Sequence, residues 1–158
     1  LEKNDGGWYY EMQELGYNYR ITEMQAALGM TQLKRLDWSI EHRNEIAKKY
    51  DETFEGTIVK TPFRGEGLVH AFHLYIIQVP SDKRRGLYDY LRANNVYSQV
   101  LYIPAHTMPY YRQFGWKVGD MPVAEDYYSK CLALPMFPTL TDEEQGWVIE
   151  KVKEYFNI

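Results

Sequence analysis

From Leu36 onward apolar residues return at helical spacing: Leu36, Ile40, Ala47, Tyr50 and Phe54 share one stripe, and Glu41, Arg43, Asn44, Lys48 and Asp51 take the other sides. The spacing predicts one amphipathic helix over Leu36–Phe54 with Ile40, Ala47 and Tyr50 turned inward. Gly56 is a suitable stop. The segment just upstream has no such asymmetry. Residues 24–30 are apolar or small nearly all round, the pattern of a helix buried on several sides. Ala26, Ala27 and Gly29 would let another backbone approach closely. Thr22 with Gln25 three positions on is a capping box that opens this helix. Residues 1–20, rich in Gly and Tyr, read as irregular.

Residues 57–67 form a loop with Pro62, Gly65 and Gly67. The run 70–79, His-Ala-Phe-His-Leu-Tyr-Ile-Ile-Gln-Val, has the length and content of a strand. Pro80-Ser81-Asp82 ends it and begins a helix that reaches about Ala93. Asn94-Asn95 then turns the chain into a second strand over 96–101. Pro122 fits the first turn of a further helix, where it forfeits no helical hydrogen bond, and 124–132 continue it. Thr141 and Glu144 make a second capping box, opening a last helix with Trp147, Val148, Val152 and Tyr155 inward. Strand, helix, strand and packing helix predict a small α/β sandwich.

The chain has 158 residues, enough for one domain with a sizeable core, and a formal net charge of −4. That charge argues against a nucleic-acid partner, whose phosphates call for clustered cations. Lys83-Arg84-Arg85, the one basic run, reads as solvated surface. No apolar stretch approaches the ~20 residues of a membrane span. The chain opens at Leu1 with neither an initiator Met nor a signal peptide, and its low cysteine content leads to the expectation of a reducing, cytoplasmic location. Its single cysteine, Cys131, excludes an internal disulfide and reads as a packed thiol rather than a nucleophile. The four histidines suggest no metal site. His70 and His73 would point to opposite faces of a strand, His42 sits on a charged helix side, and His106 is too isolated to be a ligand. Glu143-Glu144 and Asp51-Glu52 read as helix-surface charge.

Two segments combine residues suited to binding chemistry. In Gly16-Tyr17-Asn18-Tyr19-Arg20 an amide and a guanidinium stand just before a helix N-terminus, a setting that favours an anion. A turn-forming Asn18 and a salt-bridged Arg20 would read the same way. In Gln99-Val100-Leu101-Tyr102-Ile103-Pro104-Ala105-His106 a phenol and an imidazole flank a rigid proline turn and can bind hydroxyl and phosphate oxygens. A buried Tyr102 and a surface His106 are equally compatible with the pattern.

The run Gly16-Tyr17-Asn18-Tyr19-Arg20-Ile21-Thr22-Glu23-Met24-Gln25-Ala26-Ala27-Leu28-Gly29, continuing to Gln32-Leu33, resembles the helix entrance of the DegT/DnrJ/EryC1/StrS sugar aminotransferases. These are pyridoxal 5'-phosphate (PLP) enzymes that aminate nucleotide-linked keto-sugars. The resemblance implies an α/β fold, the C-terminal small domain of a fold-type I PLP aminotransferase plus its interdomain helix. Residues 1–35 would end the large PLP-binding domain, 36–56 would be the interdomain helix, and 57–158 the small domain. The Schiff-base lysine would lie before Leu1, so no catalytic residue is expected in this chain and it should be inactive alone. Asn18 would contact the PLP phosphate of the neighbouring subunit in a homodimer with a shared active site. Arg20, Gln99, Tyr102 and His106 would bind substrate, with Leu101 standing where many relatives have His. Gly7-Trp8-Tyr9-Tyr10-Glu11-Met12-Gln13-Glu14-Leu15-Gly16 resembles the subgroup that makes the 4-amino precursor of pseudaminic acid, a bacterial surface sugar. That implies transfer of an amino group from glutamate to C4 of a UDP-linked 4-keto-6-deoxy sugar. The alternatives are a non-catalytic dimerisation or binding module and a sugar dehydratase of the same family.

Overall fold

The computed structural model describes residue 17 and residues 19–158. Asn18 and the 7–16 stretch lie outside the described residues. The chain divides into two units, Leu1–Arg35 and Leu36–Ile158.

In the first unit, helix α1 (Glu23–Leu33) opens where the capping box predicts. Thr22 Oγ1 accepts the Gln25 N–H at 3.3 Å, and Gln25 Oε1 accepts the Thr22 N–H at 2.9 Å. The expected burial is absent. None of its residues is buried, and Met24, Leu28, Met30 and Leu33 all stand exposed. An all-apolar helix supplies the surface for burial but not the cover.

The second unit starts with α2 (Leu36–Phe54), as predicted. Its buried residues are Ile46, Ala47, Tyr50 and Phe54, whereas Ile40 is only half-buried. Only the C-terminal half of the helix meets the core, so the stripe is right in direction and too long in extent.

The sheet consists of β1 (Tyr75–Gln78) and β2 (Cys131–Leu134), paired antiparallel with Tyr75 opposite Leu134 and Ile77 opposite Leu132. Those four alternate positions share one face of the pair. They form one core with Tyr50 and Phe54 of α2, Leu87 and Leu91 of α3 (Ser81–Ala93), and Val148 and Val152 of α6 (Asp142–Phe156). Each such side chain contributes about 1.5–3 kcal/mol by leaving water. Single bridges, Lys60 to Gln78 and Gln99 to Ala133, extend the sheet at its two edges. Between α3 and β2 come a 3₁₀ turn (Ala105–Thr107), a short α4 (Pro109–Arg112) and α5 (Pro122–Lys130).

The strand predicted over 70–79 is reduced to four residues because other groups claim its backbone. Asn44 Nδ2 donates to the His70 carbonyl at 2.8 Å, and Arg43 Nη1 to the Phe72 carbonyl at 2.7 Å. Phe72 itself sits at φ 42°, which breaks an extended run. His70 and His73 therefore lie outside β1, and the opposite-face argument does not apply to them. The second predicted strand, 96–101, survives only as the bridge at Gln99. The partner strand is β2, whose Cys131 and Leu132 the sequence reading placed in a helix. Helix α5 ends at Lys130 without a Gly or Pro, and Cys131 turns extended at φ −74°, ψ 141°. Four consecutive apolar residues, buried on both faces, have no alternation to reveal them as a strand.

The second capping box is present: Thr141 Oγ1 accepts from Glu144 N at 3.2 Å and Glu144 Oε2 from Thr141 N at 2.9 Å. Trp147 corrects the inward assignment, being 46% exposed, with its Nε1–H donated to the Asn94 carbonyl at 3.0 Å. Gln145 is buried instead and donates to the Ile46 carbonyl at 2.8 Å. Two buried phenols are matched in the same way, whereas the buried Ser98 Oγ has no hydrogen-bond partner. The Tyr50 hydroxyl donates to the Pro135 carbonyl at 3.0 Å, and that of Tyr75 to Asp51. Burial pushes both phenols well above the ordinary tyrosine range, and for Tyr75 the Asp51 carboxylate adds to the rise.

Candidate functional site

The 99–106 segment is anchored at one end and turned at the other. Gln99 exchanges both backbone hydrogen bonds with Ala133, at 3.2 and 2.7 Å. Two residues on, the Leu101 carbonyl accepts the Cys131 thiol at 3.3 Å. Cys131 is buried, as its reading as a packed thiol requires, and burial raises its pKa, opposite to the activation of a nucleophile. Pro104 precedes the 3₁₀ turn, and its carbonyl accepts the Thr107 hydroxyl at 2.8 Å.

At this turn Tyr102 and His106 part company. Tyr102 is 71% exposed. His106 is tucked in, its side chain 9% exposed, with Nε2 2.7 Å from Oε1 of Glu125. The same oxygen accepts the Gly119 N–H at 2.8 Å and the Met121 N–H at 3.4 Å. The His106 hydrogen bond, with these backbone donors, holds the Glu125 carboxyl below the usual glutamate range. His106 is thus not the isolated residue the sequence suggested. Sequence reasoning missed Glu125 because the two lie 19 positions apart, and an acid in the first turn of a helix reads as a dipole partner. The brace joins the 105–107 turn, the 117–121 loop and the start of α5. It leaves Nδ1 as the imidazole atom for other chemistry.

Beside the brace lies a half-open hollow of about 620 Å³, lined by Leu101, Tyr102, Pro104, Met121, Pro122 and Tyr127 among others, with Asp120 as its acid. An apolar wall with a phenol and a carboxylate suits the face of a ring that carries hydroxyl groups. Gln99 faces elsewhere, into a smaller hollow with Arg84 and Tyr128. Arg20 is exposed two residues before the Thr22 cap, in the first unit. Asn18 lies outside the described residues. No group of three or more potential metal-ligating side chains forms among the described residues. No helix among them is long and apolar enough to cross a membrane.

The fold built on this antiparallel strand pair is shared with part of the solved sugar aminotransferases, over about two fifths of their length. Residues 2–153 match the DegT/DnrJ/EryC1/StrS aminotransferase family, and the chain belongs to it. It is 41% identical to the spore coat polysaccharide biosynthesis protein SpsC of Bacillus subtilis, over 96% of this chain and 41% of that protein. It is 30% identical to the UDP-4-amino-4,6-dideoxy-N-acetyl-beta-L-altrosamine transaminase of Campylobacter jejuni, over 93% of this chain and 42% of that one. A solved Streptococcus pneumoniae protein named as a sugar aminotransferase superposes in its PLP form with a TM-score of 0.84 and 27% identity, covering 95% of this chain and 39% of that one. The chain thus spans about two fifths of the length of the curated relatives it matches.

The cofactor of the family is PLP. Several groups among the described residues that could meet PLP are already engaged. At the start of α1 the Thr22 and Gln25 N–H groups are taken by the capping box. Lys49, Lys83, Lys130 and Lys151 sit beside Asp142, Asp82, Asp126 and Glu154. No chemical step of the cofactor is carried by them.

Proposed function

We propose that this chain is the C-terminal part of a nucleotide-sugar aminotransferase that moves an amino group from glutamate to C4 of a UDP-linked 4-keto-6-deoxy sugar, in bacterial surface-sugar biosynthesis of the pseudaminic acid type. The observation that carries the reading is the family match running unbroken through the Tyr102–His106 turn. The UDP group, the 4-amino position and the 6-deoxy carbon are those in the name of the Campylobacter jejuni relative. Residues 1–35 would complete the large domain, 36–56 link it to the small one, and 57–158 form the small domain. The enzyme would act in the cytoplasm as a homodimer. PLP would supply the electron sink for amino transfer. Asn18 would donate its amide to the cofactor phosphate of the other subunit, Tyr102 would line the sugar hollow beside the His106 turn, and His106, Arg20 and, from its own separate hollow, Gln99 would each contact the substrate.

The test is an assay of the full-length protein with PLP, ¹⁵N-glutamate and UDP-, GDP- and dTDP-linked 4-keto-6-deoxy sugars, read by mass spectrometry. Labelled amine on the UDP sugar supports the reading. Loss of water without nitrogen incorporation points to the dehydratase, and binding without turnover to the non-catalytic module. Subunit sharing is tested by mixing Asn18→Ala with a variant lacking the Schiff-base lysine. Each is expected to be inactive, and hybrid dimers to regain activity in the one site left intact. No recovery despite subunit exchange rejects action across the interface.

A further inference from the structure

The run Lys83-Arg84-Arg85 at the start of α3 is not uniformly solvated. Lys83 lies 3.9 Å from Asp82, and Arg85 Nε donates to Asp89 at 2.7 Å. Arg84 has no carboxylate partner among the described residues. Its Nε is buried with no hydrogen-bond partner, and its guanidinium lies 5.2 Å from the ring centroid of Tyr128. The acid nearest Tyr128 in sequence, Asp126, is held by Lys130 at 2.7 Å. An arginine cannot shed its charge. A half-buried guanidinium with unfilled donors carries a desolvation cost, and one stacked ring offsets it only in part.

Arg84 lines a hollow of about 320 Å³ with Arg85, Tyr88, Gln99, Val100 and Tyr128. Its side chains are rich in donors and include no acid. The Gln99 backbone is fixed by its bridge to Ala133, so its amide is presented from a rigid edge. The Tyr88 oxygen accepts from Arg92 Nη1 at 3.5 Å, which leaves its own O–H to donate. We propose that this hollow binds a phosphate group, with Arg84 and Arg85 supplying the charge and Gln99 and Tyr88 filling the remaining oxygens. A tetrahedral phosphate offers oxygens in enough directions to meet donors from α3 and from the 99–100 edge together. A planar carboxylate would leave part of the set unmet. The shared chemistry has two sources, inorganic phosphates and the diphosphate of a nucleotide. The site lies within 36–158 and does not rest on the aminotransferase reading.

The experiment titrates the full-length protein, by NMR or calorimetry, with inorganic pyrophosphate, UDP, uridine and glutamate. No cofactor turnover is needed. Pyrophosphate and UDP should bind saturably and uridine should not. Arg84→Gln should weaken both by about tenfold or more. Because Arg84 also packs on Tyr128, the second variant is Arg85→Gln, at an exposed side chain. It should weaken both by about threefold with an unchanged melting temperature. UDP binding tighter than pyrophosphate identifies the nucleotide as source, and the reverse order identifies inorganic phosphates. Absence of saturable binding, equal affinity in both arginine variants, or tighter binding of uridine or glutamate than of pyrophosphate overturns the proposal.

Discussion

Two groups of aromatic side chains in the 36–158 unit meet opposite fates. Tyr50, Phe54, Phe72 and Tyr75 are buried almost completely. They touch ring to ring, Tyr50 to Tyr75 at 4.9 Å and Phe72 to Tyr75 at 6.1 Å between centroids. Tyr102, Tyr110, Tyr111, Phe114 and Trp116 are all exposed. Tyr110 meets Tyr111 and Phe114 edge-on, at 5.2 and 5.7 Å, but nothing covers the group within the unit. Residue type does not separate them; the backbone beneath does. Three of the first four sit on α2 and β1, whose repeats turn one face to a common core. The second group lies on turns and the four-residue α4, which has too few residues to own a face.

The largest effect expected from breaking this contrast is at Phe54. Phe54→Ala should cost about 3–5 kcal/mol in urea unfolding, while Phe114→Ala should stay within about 0.5 kcal/mol. Equal losses would erase the distinction. Arg43→Met comes next. It removes the donor of the Phe72 and Met136 carbonyls, at 2.7 and 3.1 Å. An acceptor left unmet inside the fold costs about 1–3 kcal/mol. A neutral result in urea unfolding would mean that the buried aromatic group needs no polar frame. Thr141→Ala, which removes the α6 cap, should cost about 1 kcal/mol, read as lost helicity and a lower unfolding midpoint.

The smallest effect is on the exposed side of the comparison and depends on pH. Glu125 is held below the ordinary glutamate range. A carboxyl depressed in the folded state stabilises it fully above the ordinary pKa of about 4.3, and that contribution is lost as pH falls through the depressed value. The 117–121 loop should therefore loosen only in acid below the ordinary glutamate pKa, followed through Trp116 fluorescence. Glu125→Gln should remove that acid transition. A transition unchanged in the variant would assign it to another group.

Elements governed by local rules could be read from sequence. Thr22 and Thr141 announce α1 and α6, and the apolar spacing from Leu36 announces α2. The misreadings arise where distant residues decide. Phe72 leaves the strand because Arg43 and Asn44 claim the carbonyls around it. Leu132 looks like the end of a helix until Ile77 is placed opposite it. In the site, Tyr102 and Pro104 stood out because tyrosine and proline are informative at a turn. Glu125 and Arg84 did not, since one reads as dipole complement and the other as surface charge. Their distinction is who is missing or present beside them, which a linear pattern does not carry.

Arg43 also bears on how the chain is made. Its guanidinium reaches a carbonyl 93 positions later, at Met136, and the Ile46 carbonyl waits for the Gln145 amide 99 positions away. On a ribosome adding about 5–20 residues per second, α2 emerges roughly 5–20 s before either partner exists. During that interval Tyr75 of β1 and Leu87 and Leu91 of α3 are made and can cover part of Tyr50 and Phe54, but Val148 and Val152 of α6 are still missing from the core. The core can close fully only when α6 arrives, so synthesis that halts before Gln145 would leave it open on one side to chaperones and to other nascent chains.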